Sequence, residues 1–170
     1  MYRFTLSFLI AFSASTLAPG SIAQVVENRE NVSVSENVTN VENVTINVTK
    51  IQEEIDRTGS AAIYGLEFAF NSAEILPASK PVLEAMADYL VGNPSQTILL
   101  VGHTDNVGTL PVNLDLSQKR SKAVLNALVD GFKIPPTQLE AHGVGFLAPR
   151  QPNTTAEGRA HNRRVEMVPR

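Results

Sequence analysis

The sequence predicts an α+β domain in which a mixed four-stranded sheet carries its helices on one side. Four short apolar segments with strand-like patterns alternate with two segments of helical periodicity, in the order strand, helix, strand, helix, strand, strand. The composition agrees, because 43% hydrophobic residues in a chain of 170 can supply the core of one domain. We predict that this domain spans residues 61–170.

The first part of the domain is predicted to hold a strand, a helix and the central strand. Residues 61–70 end in alternating apolar and polar side chains, which is the period of a strand, and Pro77 ends that segment. A helix is predicted from Ser79 to Gly92, with a capping serine and an early proline at its start. Residues 98–101 read Ile-Leu-Leu-Val, a continuous apolar run typical of a strand buried on both faces.

The second part of the domain is predicted to hold a long helix and two more strands. Helical periodicity runs from Leu114 to Asp130, and residues 139–142 and 165–168 have the composition of short strands. The connection over residues 146–162 is long for a loop, and we expect a turn of helix within it.

Residues 1–23 have the features of an export signal. Arg3 gives a positive start, residues 4–18 are uncharged, and Ser21-Ile22-Ala23 offers small residues before a cleavage site. The alternative is a retained membrane anchor, but a spanning helix requires about 20 mostly apolar residues and the uncharged run is shorter. We therefore expect an exported, periplasmic protein.

Residues 24–60 form an Asn/Val-rich linker in which Glu-Asn-Val occurs three times. A second pattern lies over the repeat, because four aliphatic residues are seven apart: Val34, Val41, Val48 and Ile55. Such a seam is typical of an oligomerising helix, whereas the many Val, Asn and Thr residues favour a tether. We expect a tether before about Val44, a short helix after it, and a homo-oligomer through residues 24–60 as the open alternative.

The charge and the absence of cysteine exclude several classes of protein. Fourteen basic and 17 acidic residues give a net charge of −3, which argues against binding nucleic acid through phosphate contacts. No cysteine is present, so disulfides, thiol catalysis, thiolate metal sites and a cysteine-linked lipid anchor are excluded. We expect no cofactor.

The segment after the central strand carries the candidate binding chemistry. Asp105 follows the carboxyl end of the strand, where ligands commonly bind in open sheets. Asn113 and Arg120 are seven residues apart in the next helix and share a face. A carboxylate and a guanidinium together suit a zwitterion, with Asp105 accepting from an ammonium group and Arg120 donating to a carboxylate. The alternative is a solvated salt bridge.

Residues 64–168 contain several ordered motifs, which are Phe68-x-Phe70, Ile75-x-Pro77, Gly102-His103-Thr104-Asp105-x-x-Gly108, Asn113-x-x-Leu116-Ser117-x-x-Arg120 and Asn162-Arg163-Arg164-Val165-Glu166. With these motifs the segment resembles the OmpA-like C-terminal domain, the peptidoglycan-binding module of outer-membrane proteins, peptidoglycan-associated lipoproteins and flagellar stator subunits. The resemblance implies a mixed four-stranded sheet backed by helices, in agreement with the residue patterns.

The resemblance also implies a ligand, the diaminopimelate of the peptidoglycan stem peptide. By motif, Asp105 and Arg120 would hold its amino and carboxylate groups and Asn113 would assist. Arg163 and Asn71 would lie at the edge of the site. The sequence departs from the family pattern at Ala69, often Asp, and at Ser121, often Ala.

Two enzymatic interpretations compete with this one. His103, Asp105 and a serine could form a hydrolase site, yet the sequence has no Gly-x-Ser-x-Gly elbow. His103, Asp105 and His142 could hold a divalent metal, although hydrogen-bonded loop histidines are the simpler interpretation. We therefore expect no metal and no enzyme. The function predicted is non-covalent peptidoglycan binding that tethers the cell wall to the outer envelope, with an outer-membrane partner as a further expectation.

Overall fold

A computed structural model describes residues 47–170. The helices of this part are α1 (Val48–Thr58), α2 (Lys80–Gly92), α3 (Leu110–Phe132) and α4 (Ala156–Asn162). Its strands are β1 (Ala61–Ile63), β2 (Ile98–Gly102), β3 (Leu139–Gly143) and β4 (Val165–Pro169). The predicted signal peptide and the tether before residue 47 lie outside the described residues. Within the described residues, no helix combines the length and apolar character needed to cross a membrane.

The strands form a mixed sheet in the order β1–β4–β2–β3. β2 lies inside the sheet, where it pairs parallel with β3 and antiparallel with β4, and β1 pairs antiparallel with β4. In this register Leu100 lies beside both Ala141 and Met167. The predicted four-stranded mixed sheet and the interior position of β2 are confirmed.

The hydrophobic core lies between one face of the sheet and helices α1, α2 and α3. Most of its members are buried aliphatic side chains, and several core residues are fully enclosed: Ile63, Met86, Tyr89, Leu90, Leu100, Val124, Leu128 and Met167. Ile51 and Ile55 of α1 are buried in the same core, so this helix packs on the domain rather than projecting from it. The domain boundary drawn at residue 61 stays a sequence prediction.

The strand predicted over residues 61–70 is wrong beyond Ile63. Gly65 has φ +79°, which takes the chain out of the extended conformation and away from the sheet. The buried Ser79 hydroxyl bonds the main chain of Glu67, because it accepts from the Glu67 N–H at 2.8 Å and donates to the Glu67 carbonyl at 3.1 Å. The Leu76 N–H donates to the same carbonyl at 2.9 Å. An isolated bridge between Phe68 and Ile75 closes the turn that follows.

The long helix α3 begins earlier than the sequence pattern predicted. Pro111 lies at its first positions, where a missing N–H costs nothing, and the Asn113 N–H donates to the Thr109 carbonyl at 3.1 Å. The helix ends at Phe132, where Lys133 takes a left-handed conformation with φ +60°. The turn of helix expected between the last two strands is confirmed as α4.

α3 crosses the sheet at unusually short range. A Cβ on Gly102 would lie 2.3 Å from the Ser117 carbonyl oxygen, and a Cβ on Gly143 would lie 2.1 Å from the Gln118 nitrogen. The Ser117 hydroxyl adds a direct link, because it accepts from the Gly145 N–H at 2.9 Å. These contacts hold the helix in one position over β2 and β3.

We predict that Gly143→Ala destabilises the domain by about 1–3 kcal/mol, because the added methyl group forces the α3 backbone away from β3. The measurement is the free energy of unfolding from urea titration. Gly131→Ala is the matched control, since a Cβ there has no neighbour within 4 Å and lies in a helix that favours alanine. Equal stability of the two variants would show that the contact is not tight.

Candidate ligand-binding site

An open cavity of about 350 Å³ lies at the end of the sheet. It is bordered by the segment that leaves β1 (residues 65–68), by the end of β2 at Gly102 and His103, by Arg120 of α3 and by residues 163–165. Chain segments that are distant in sequence therefore meet here. Most of the polar groups on its wall are basic side chains.

Asp105 lies beside this cavity in the loop that follows β2, and both of its carboxylate oxygens have partners. Oδ1 accepts from the Val107 N–H at 3.0 Å, which fixes the turn locally. Oδ2 accepts from Nη1 of Arg163 at 2.7 Å. The Asp105 side chain is only 14% exposed, and Arg163 contacts the oxygen that the turn leaves unused.

Arg120 borders the cavity, and two contacts hold its guanidinium group in place. Nε donates to the Ser72 carbonyl at 3.0 Å, and the guanidinium carbon lies 4.8 Å from the centre of the Phe68 ring. Burial lowers the pKa of Arg120, the nearby Arg163 lowers it further, and Asp105 opposes both effects. The guanidinium is therefore a partly desolvated cation beside a second cation, an environment that favours an anionic ligand.

Asn113 lies beneath the loop that carries Asp105. Its side chain is buried, and its amide group donates to the carbonyls of Val107 at 2.9 Å and Thr109 at 3.1 Å. Both amide hydrogens are therefore used to close the loop, an arrangement that suits a positioning role. A direct ligand contact by Asn113 stays a prediction.

Asn71 occupies the turn between Phe68 and Ile75. It has φ +50°, a left-handed conformation that asparagine tolerates better than most residues, and it is exposed. The neighbouring carbonyl of Ser72 is the one that Arg120 contacts, so this turn lies against the cavity wall. A ligand contact by Asn71 also stays a prediction.

A second charged cluster lies behind the cavity, around Glu166 of β4. Its Oε1 accepts from Arg164 at 2.9 Å and from Arg150 at 3.1 Å, and Oε2 faces Nε2 of His103 at 3.7 Å. The His103 imidazole, followed by Arg164, holds the pKa of Glu166 down to about 2 against the opposing effect of burial. His103 is itself buried, and among the described residues neither ring nitrogen has a hydrogen-bond partner.

The structure thus brings three of the predicted residues together, namely Asp105, Arg120 and Arg163. Asn113 is not among the residues that line the cavity, and its amide group bonds to carbonyls of the loop instead. The Phe68 and Ser72 contacts that orient Arg120 were not predicted from the sequence. Both depend on the chain leaving the sheet after Ile63. The glycine at position 65, inside the predicted strand, was the available signal.

The metal interpretation of His103, Asp105 and His142 finds no cluster to support it. Within the described residues there is no group of three or more His, Asp or Glu side chains placed to hold a metal ion. His142 lies on the edge strand β3, where its Nε2 faces Glu140 at 3.5 Å.

Comparison with known proteins gives the family. The OmpA family model matches residues 67–163. Outer membrane porin F of Pseudomonas aeruginosa is 33% identical over 161 residues, which cover 91% of this chain and 45% of the porin. The peptidoglycan-binding protein ArfA of Mycobacterium tuberculosis is 36% identical over 103 residues, or 61% of this chain and 31% of that protein.

A solved structure agrees with these sequence matches. The crystal structure of the peptidoglycan-associated lipoprotein from Burkholderia pseudomallei is 33% identical and superposes with a TM-score of 0.56. The match covers 64% of this chain and 89% of the lipoprotein chain.

Fold and site together define an α+β domain with a charged cavity at one end of a mixed four-stranded sheet. The chain belongs to the OmpA family. It spans about half or less of the length of the two curated relatives named above.

We predict that Glu166 makes the stability of the domain depend on pH in the acidic range. Because the pKa of Glu166 falls from 4.5 to about 2 on folding, its ionised form stabilises the folded state. That stabilisation is complete above about pH 4.5 and is lost as the pH falls towards 2. Urea titrations across this range should show a smaller loss of stability with falling pH in Glu166→Gln than in the wild type.

Glu140→Gln is the control for this measurement. It removes the same charge from a more exposed carboxylate on the edge strand β3, whose side chain contacts Arg170 and His142. A Glu166→Gln profile that parallels the wild type across the acidic range would contradict the assigned role of this cluster.

Proposed function

We propose that this protein binds peptidoglycan non-covalently and holds the diaminopimelate end of the stem peptide in the cavity at the end of its sheet. The observation that carries the proposal is the meeting of one carboxylate and two guanidinium groups at an open cavity, in a chain of the OmpA family. Relatives named as peptidoglycan-binding and peptidoglycan-associated proteins support peptidoglycan as the ligand.

The free end of diaminopimelate is an amino acid, with an ammonium and a carboxylate on one carbon atom. Asp105 would accept hydrogen bonds from the ammonium, and the open end of the Arg120 guanidinium would donate to the carboxylate in bidentate fashion. Phe68 and the Ser72 carbonyl hold Arg120 in place before the ligand arrives, which reduces the entropy lost on binding.

Such a site gives moderate affinity, which suits a reversible tether. A hydrogen bond to a charged group contributes about 1.5–3 kcal/mol net, so two of them alone do not give tight binding. Peptidoglycan presents the same stem peptide at many positions, and several attached copies of a binding domain would gain avidity. We place the protein in the periplasm, between the cell wall and the outer membrane, with residues 24–60 as the segment that could join it to a partner or to another copy.

We predict that Asp105→Asn and Arg120→Gln each weaken binding at least tenfold, because each removes a charge-assisted hydrogen bond to the ligand. The measurement is co-sedimentation with purified diaminopimelate-type peptidoglycan over a range of protein concentrations. Asp115→Asn and Lys119→Gln are matched controls, since these residues form an exposed 2.7 Å pair elsewhere on α3. Circular dichroism would establish that all four variants fold.

Unchanged sedimentation of both Asp105→Asn and Arg120→Gln would remove this site assignment. The supernatants of the same incubations test the enzymatic alternative, because a hydrolase releases soluble muropeptides with time. We expect no release from the wild type. Release that depends on His103 would favour the hydrolase.

A further inference from the structure

Asp105 and Arg163 already form an ion pair in the chain without ligand, and this pair occupies the place proposed for the ligand ammonium. Oδ2 of Asp105 is 2.7 Å from Nη1 of Arg163, while Oδ1 is used by the Val107 N–H. With 14% of the Asp105 side chain exposed, an ammonium group has little surface to approach unless Arg163 moves.

Arg163 is held far less firmly than its neighbour Arg164. The Arg164 guanidinium is 2% exposed and donates to Glu166 and to the carbonyls of Ala148 and Asn162. The Arg163 side chain is 48% exposed, and the bond to Asp105 is the one hydrogen bond that its guanidinium makes among the described residues. An ion pair with a half-exposed partner contributes little net stability, so this pair can separate at small cost.

A released Arg163 would stay beside the cavity. Its backbone N–H donates to the Arg159 carbonyl at 3.1 Å, which fixes the main chain at the end of α4. Arg120 and Arg163 both line the cavity, so the two guanidinium groups border a common space, and the charge of Arg163 lowers the pKa of Arg120. Once Asp105 is occupied, this space contains two cations that need anionic partners.

We propose that Arg163 exchanges partners on binding: the ligand ammonium replaces it on Asp105, and its guanidinium then binds a second carboxylate of the same ligand. This inference rests on the proposed function and narrows the ligand class. The preferred ligand carries one ammonium and two carboxylates, the first on Arg120 and the second on Arg163. A stem peptide in which this second carboxylate is replaced by a carboxamide lacks the anion that would pair with Arg163, and it binds more weakly.

The test uses two synthetic stem tripeptides, L-alanyl-γ-D-glutamyl-meso-diaminopimelate in two forms. In the acid form the D-glutamyl α-carboxyl and the main-chain carboxyl of diaminopimelate are free. In the amide form both are carboxamides, and the zwitterionic side-chain end is unchanged. Isothermal titration calorimetry should show that the wild type prefers the acid form by roughly fivefold or more, the ratio that corresponds to one exposed ion pair of about 1 kcal/mol.

Arg163→Gln should change the two affinities in opposite directions. It removes the partner of the second carboxylate, which weakens the acid form, and it removes the competitor for Asp105, which strengthens the amide form. Arg163→Lys keeps the positive charge and should restore the preference for the acid form. Arg170→Gln is the matched control, because it breaks an arginine–carboxylate pair with Glu140 at the opposite end of the sheet and should leave both affinities unchanged.

Equal binding of the two peptides by the wild type overturns the pairing of Arg163 with a ligand carboxylate, and with it the exchange as proposed, and leaves the proposed function standing. An arginine that leaves Asp105 and pairs instead with Glu67, an exposed carboxylate that also borders the cavity, would give that result. Parallel changes for both peptides in Arg163→Gln overturn it as well. A wild-type protein that binds neither peptide overturns the proposed function and this inference with it.

Discussion

The close contact between α3 and the sheet is the constraint on which the site depends. Gly102 and Gly143 have no side chains, so the backbone of α3 at Ser117 comes directly against β2 and β3. Three residues after Gly102 the chain reaches Asp105, and three residues after Ser117 the helix presents Arg120. This contact therefore fixes the positions of both Asp105 and Arg120, and a helix held further from the sheet would widen the distance between the two side chains.

The charges around the cavity are divided between a fixed group and an exchangeable one. Glu166 lies behind the cavity wall, where buried Arg164 and His103 surround it and depress its pKa. Such an arrangement is costly to disturb, because removal of one partner leaves another charge buried. Arg163 lies at the edge of the cavity, is half exposed and bonds to a single carboxylate. The free energy of the folded domain therefore changes little when this side chain moves. The cluster around Glu166 can therefore stay in place while Arg163 changes its position at the binding surface.

Arg120 shows how a cation can be prepared for a ligand before the ligand is present. Its Nε–H donates to a backbone carbonyl and its guanidinium carbon lies over the Phe68 ring, so few rotamers remain open. Folding has already removed part of the water around the guanidinium group, and the lowered pKa of Arg120 reflects this partial desolvation. A carboxylate that enters the cavity gains a charge-assisted bond without having to order the side chain.

Much of this architecture could be predicted from residue patterns. Alternating and continuous apolar runs located the strands, helical periodicity located α2 and α3, and turn residues separated them. The largest failure, the length of the first strand, has its cause in a contact between distant residues. The first strand ends at Ile63 because Gly65 turns the chain, and the Ser79 hydroxyl, twelve residues beyond Glu67, then bonds the Glu67 main chain. The pattern of residues 61–70 does not contain that partner. The earlier start of α3 has a local cause, because Pro111 fits the first positions of a helix.

The same division applies to the site. The chemical types and their order can be read from the residues alone, with Asp105 after the central strand, Arg120 two helical turns beyond Asn113, and a pair of arginines before the last strand. The ion pair of Asp105 with Arg163 rather than Arg120, and the closing of the loop by Asn113, are seen only in the folded chain. Sequence spacing fixes which face of an element a side chain occupies, whereas ion pairs depend on how separate elements pack against one another.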